Sequence, residues 1–201
     1  MRRSVGILVF DDVEELDFVG PLEVFGMAAR LGADCATVLI AAHEGEVRGS
    51  YGLRFTPAHT IASCPPVDLL IVPGGYGART HAREDPVIID YLRQRKAPVA
   101  SVCTGALILA AAGLLNGRTA TTHHSAMELL RSYGAIDVIE GARMTVAERV
   151  STSAGISAGI DLSLALVAHM FGDDLAEQVA TRMEWDGAGD WRRVPSEEAG
   201  D

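Results

Sequence analysis

Short apolar runs alternate with stretches of helical periodicity along the 201-residue chain. Six runs predict strands, at residues 5–10, 36–41, 69–72, 99–102, 119–122 and 150–152. Six periodic segments predict helices, at 21–31, 86–94, 105–112, 125–132, 160–171 and 175–183. Several of the strands are apolar on both faces, as a parallel sheet covered by helices on each side requires. The segment GEVRGSYGLRFTPAHT (45–60) differs: its glycine spacing and alternation predict a small hairpin at the sheet edge. Pro21 follows Gly20 and Pro86 follows Asp85, both reading as helix starts, and Gly32, Gly113, Gly134 and Gly172 each fall just past a helical run. No repeat or composition shift divides the chain. One α/β domain over 1–186 is expected, with a C-terminal tail at 187–201 that is loose or packed on a partner chain.

Composition narrows the partners. Net charge is −10, and the densest basic cluster, RQRK at 93–96, sits where a helix ends and its dipole favours cations. Nucleic acid and anionic membranes are therefore excluded as expected partners. The longest apolar stretch, 106–115, is too short to cross a bilayer, and the first apolar run is followed at once by acid, as a strand is and a signal peptide is not. Three scattered cysteines, Cys35, Cys64 and Cys103, predict reduced thiols in a cytoplasm rather than disulfides or a zinc site.

In an open parallel sheet, ligands sit beyond the carboxyl ends of the strands. The segments just past four of the strands are DDVEELDFVGP, PGGYGART, CTG and HHS, so an acid, a glycine pair, a thiol and two imidazoles share one rim. Cys103 falls at a strand-to-helix corner, where unpaired amides and the helix dipole favour thiolate, and Gly105 supplies the small residue a tight corner needs. Attack by that sulfur would develop negative charge, for which the amides of Gly75 and Thr104 are the expected donors. Asp17, flanked by Leu16 and Phe18, reads as a desolvated proton-transfer group, whereas Glu14 and Glu15 read as a solvated face. Of the adjacent pair His123 and His124 only one can face the site; His123 is expected on the substrate side. Their spacing does not suit a metal. Gly155 and Gly159 read as admitting a helix close to the sheet.

The segments LDFVGPLEVF (16–25), LLIVPGGYG (69–77), VASVCTGALILAAAGLLNGRTATTH (99–123) and TSAGISAGIDLSLALVAHMFG (152–172) resemble, in order, motifs of the ThiJ/PfpI superfamily. The resemblance implies a class I glutamine amidotransferase-like fold, a flavodoxin-like three-layer sandwich with a mostly parallel sheet. Within the superfamily the chain is most similar to the isonitrile hydratases, which add water to R–N≡C to give an N-substituted formamide. That likeness implies a small-molecule substrate, no metal or organic cofactor, and a homodimer. It implies Cys103 as nucleophile, Asp17 as acid/base and Thr104 as the assisting residue. It also implies a late aspartate, matched best by Asp186 in MEWDGAGDW, where Trp185 and Gly187 depart from the family's tyrosine and proline. Protease-like members carry histidine after the cysteine, where Thr104 stands, and glyoxalase or deglycase-like members carry glutamate in place of Asp17. The rival readings are that glyoxalase-like activity, and a stand-alone ligand- or redox-sensing domain like the sensing half of AraC-type regulators.

Overall fold

The computed structural model describes residues 2–186 and 191. In chain order the strands are β1 (Arg3–Val9), β2 (Cys35–Ala41), β3 (Val47–Arg48), β4 (Arg54–Phe55), β5 (His59–Thr60), β6 (Leu69–Val72), β7 (Val99–Val102), β8 (Arg118–Ala120), β9 (Ile136–Val138), β10 (Met144–Thr145) and β11 (Val150–Ser153). The helices are α1 (Glu15–Arg30), α2 (Tyr76–Arg79), α3 (Pro86–Gln94), α4 (Gly105–Ala111), α5 (Met127–Arg131), α6 (Ala158–Phe171) and α7 (Asp173–Arg182). Among the described residues, seven strands form one sheet in the order β10-β11-β7-β6-β1-β2-β5, parallel throughout except that β10 runs against β11.

The reason for this architecture lies in the strands themselves. β6 and β7 are buried at every position, so neither face can meet water. Helices α1, α6 and α7 pack together on one face and α2 to α5 on the other, giving three layers. Ten consecutive residues of α6, Ala158 to Val167, are buried, and a Cβ on Gly159 would stand 2.8 Å from Val102 Cγ1. The bare glycine thus seats α6 against β7, as its spacing in the sequence suggests. Strand order reverses at β1: the chain adds β2 and β5 on one side, then returns to add β6 on the other, so the switch-point crevice opens where the loops after β1, β6 and β7 meet.

Three expectations need correction. The segment expected as a strand at 119–122 forms β8 over Arg118–Ala120 and leaves the main sheet to pair in parallel with β9. Helix α1 starts at Glu15 rather than Pro21, because Pro21 lies inside it. There the ring removes only the amide that would have bonded to the carbonyl one turn earlier, at Asp17. The hairpin at 45–60 is present as the antiparallel β3–β4 pair, but β5 continues from it into the main sheet beside β2. Within 187–201 the side chain of Trp191 is buried in the core; the rest of that tail lies outside the described residues.

Candidate active site

Cys103 sits between β7 and α4 with φ 57°, a left-handed conformation in a residue with a side chain. Such a corner costs about 1–2 kcal/mol and persists only when neighbours over-determine it. Here they do. The Cys103 amide donates to the carbonyls of Ser153 and Ala154 at 3.2 Å each, and Thr122 Oγ1 donates to the Cys103 carbonyl at 2.7 Å. Gly105 is required by close approach, since a Cβ there would collide with the Val72 carbonyl oxygen. Gly155 is required too: a Cβ would lie 3.1 Å from Cys103 Sγ and would overlap His123 Cδ2. The sulfur and the imidazole edge therefore flank the same glycine.

Asp17, in the first turn of α1, is fully buried and reaches across the crevice, where its Oδ2 accepts from the Gly74 amide at 2.9 Å. Its Oδ1 is buried without a hydrogen-bond partner among the described residues, and the carboxyl is coupled to the Cys103 thiol. Burial pushes its pKa up to about 7, the Gly74 amide opposes that rise, and the Glu14 charge adds to it. The thiol is raised as well. Burial, followed by the charge of Asp17, raises Cys103 to about 12, outweighing the Thr104 amide and hydroxyl that favour thiolate. This corrects the expectation of an ionised sulfur at rest. The helix amide does stabilise the anion, but a sulfur only 5% exposed beside a carboxylate keeps its proton.

Thr104 is buried and acts as a clamp. Its Oγ1 accepts from the Gly75 amide at 3.0 Å and donates to the Gly75 carbonyl at 3.1 Å. A Cβ on Gly74 would collide with the Thr104 backbone nitrogen at 2.5 Å and meet Asp17 Oδ2 at 2.9 Å, so the loop after β6 lies directly on both residues. The Gly75 amide is consequently occupied. It donates to Thr104, whereas the Thr104 amide is directed at the sulfur.

His123 borders Cys103 at Gly155. Asp186 is exposed beyond the end of α7. The buried late aspartate is Asp161, in the first turn of α6, which pairs with Arg143 and accepts from Trp185 Nε1 at 2.9 Å. The Arg143 carbonyl in turn accepts from the Ala154 amide at 2.9 Å, so this cluster braces the segment behind Cys103. A signal for it existed, an acid inside the apolar run AGIDLSLALVAH. Glu15 also departs from expectation. Its Oε1 accepts from the amides of Tyr51 (2.7 Å) and Leu53 (3.5 Å), tying α1 to the β3–β4 turn, so it is not a solvated side chain. Among the described residues, no group of three histidine, cysteine or acidic side chains is placed to hold a metal ion.

An open parallel sheet with a cysteine on a strained corner at its switch point, facing a buried carboxyl, defines a family. The chain belongs to the DJ-1/PfpI family, whose pattern matches residues 3–169. It is 37% identical over 188 residues to isonitrile hydratase of Pseudomonas putida, covering 92% of this chain and 79% of that one. It is 30% identical to the HTH-type transcriptional regulator CdhR of Pseudomonas aeruginosa, covering 90% of this chain but 54% of the regulator. A solved ThiJ/PfpI family protein from Pseudomonas syringae superposes with a TM-score of 0.84 at 32% identity, covering 92% of this chain and 76% of that one.

Proposed function

We propose that the protein hydrates isonitriles to N-substituted formamides, with Cys103 as nucleophile and Asp17 as the group that moves protons. The observation that carries this reading is the fully buried Asp17 carboxyl, held near neutrality in its pKa and coupled to the thiol. The identity with isonitrile hydratase over most of the chain supports it. The terminal carbon of R–N≡C bears a lone pair. Asp17 takes the thiol proton and passes it to that carbon as Sγ bonds there, so that S–H adds across one atom and gives R–N=CH–S–Cys103. Water then adds to the same carbon. Asp17 takes a proton from the water and delivers one to nitrogen, the C–S bond breaks, the sulfur recovers a proton, and R–NH–CHO departs. A thiol that is protonated at rest suits this chemistry, because its proton ends on the product carbon. A carboxyl with a pKa near the working pH serves in both directions.

We further propose that it works as a homodimer in the cytoplasm. Unpaired Cys35, Cys64 and Cys103 suit a reducing compartment. Among the described residues no helix is long and apolar enough to cross a membrane.

The test is incubation with cyclohexyl isocyanide and an assay for N-cyclohexylformamide. Turnover by the protein and none by Cys103→Ala is the expected outcome; equal rates remove the reading. Ligand sensing is the second reading, favoured by the regulator that this chain matches over about half its length. Isocyanide that raises the melting temperature without being consumed would support it.

A further inference from the structure

We propose that Arg79 and Ser125 fix His123 as the neutral imidazole protonated on Nε2, and that this N–H is the hydrogen-bond donor for the nitrogen of a substrate held on Cys103. The donor role rests on the hydration reading; the tautomer does not.

The Ser125 backbone N–H, which can only donate, lies 3.2 Å from His123 Nδ1, so that nitrogen must carry a lone pair. An imidazolium has none to offer. Ser125 Oγ stands 2.8 Å from the same nitrogen and itself accepts from Arg79 Nη2 at 2.7 Å. A hydroxyl that accepts from a guanidinium turns its own proton toward Nδ1. Both contacts therefore leave Nδ1 bare, and in a neutral ring the proton then resides on Nε2. The surroundings agree. Partial burial, the His124 ring with its centroid 4.2 Å away, and the Arg79 cation all disfavour a charged His123.

The geometry then directs the proton. Cδ2, the ring atom bonded to Nε2, is the one that crowds Gly155 most closely, and Cys103 Sγ crowds that same position. Nε2 has no hydrogen-bond partner among the described residues. The ring thus presents an unused N–H along the edge that borders the sulfur. In R–N=CH–S–Cys103, electron density moves onto nitrogen as water adds to carbon. A neutral donor stabilises that density without surrendering a proton, as a neutral imidazole does at other polarised double bonds. The proton that nitrogen finally acquires comes from the attacking water through Asp17.

Two-bond 15N–1H correlation spectra of 15N-histidine-labelled protein at pH 7, with His123 assigned by the signal lost in His123→Gln, test the tautomer directly. The expected pattern is Nε2–H with an unprotonated Nδ1, and addition of N-cyclohexylformamide should move the Nε2–H resonance. The double variant Arg79→Gln/Ser125→Ala loses the shorter contact to Nδ1 and keeps the backbone N–H, so its share of the Nδ1–H tautomer should rise above native. Its kcat should fall about tenfold while KM stays within about twofold, and Ser125→Thr on the native background should keep both native. An Nδ1–H or doubly protonated ring in the native protein overturns the proposal, as does a double variant with native tautomer and kcat. Should isonitrile never turn over while the tautomer is as expected, the hydration reading and the donor role fail together and the tautomer alone stands. Turnover with the wrong tautomer sinks this inference alone.

Discussion

A carboxyl taken out of water beside a thiol alters both groups, and the alteration has a sign. Asp17 is raised to about 7 in the folded protein from an ordinary 3.8. Folding therefore favours its protonated form; the stability this brings is complete below pH 3.8 and drains away as pH climbs through 7. Asp17→Asn should accordingly stabilise the fold, by about 2–3 kcal/mol more at pH 8 than at pH 5. Urea unfolding at the two pH values measures this, and the same variant should lose at least ~100-fold in isonitrile turnover. A second consequence falls on the sulfur. With Asp17 neutralised, Cys103 sheds a neighbouring charge that raises it, so iodoacetamide should alkylate it more than about tenfold faster at pH 8 in Asp17→Asn than in the native protein. Mass spectrometry of the Cys103 peptide reads the rate, and an unchanged rate would mean that burial alone holds the thiol protonated.

Between elements, the loop after β6 is held by side chains from two helix starts: Asp17 of α1 takes the Gly74 amide, and Thr104 at the head of α4 takes both polar groups of Gly75. Thr104→Val keeps the shape and strands a buried N–H and C=O. It should cost about 2–4 kcal/mol by urea unfolding and depress turnover, whereas Thr104→Ser should restore both. Such ties mark the limit of what a sequence discloses. That Asp17, Cys103 and Thr104 share a rim follows from local signals, namely strand carboxyl ends, a small residue at the corner and an acid among apolar neighbours. That the Gly75 amide is already spoken for depends on a hydroxyl 29 residues away, which no local pattern records. Pro21 misleads for the opposite reason, because a strong local rule gives way to tertiary packing that carries α1 straight through it. The β8 segment reads as a sheet strand from its threonines, yet its partner β9 lies beyond α5 and is three residues long, too short to announce itself. Likeness of neighbouring letters points to Asp186, and the structure buries Asp161 instead.

At the scale of the molecule, the switch point gathers loops from β1, β6 and β7 at one end of the sheet. Leu16 and Val19 of α1 and Tyr51 and Leu53 of the β3–β4 turn are exposed, on two elements that Glu15 ties together. A second copy of the chain is the occupant expected of this face. Light scattering should return twice the chain mass, and Val19→Glu with Leu53→Lys should halve it; a native monomer would refute the pairing. The left-handed turn at residue 103 carries one more implication. Glycine would occupy that backbone conformation without penalty, so Cys103→Gly should melt higher than Cys103→Ala by an amount equivalent to about 1 kcal/mol. A chain built for durability alone would carry glycine at that corner, so the stability forgone there accompanies the sulfur.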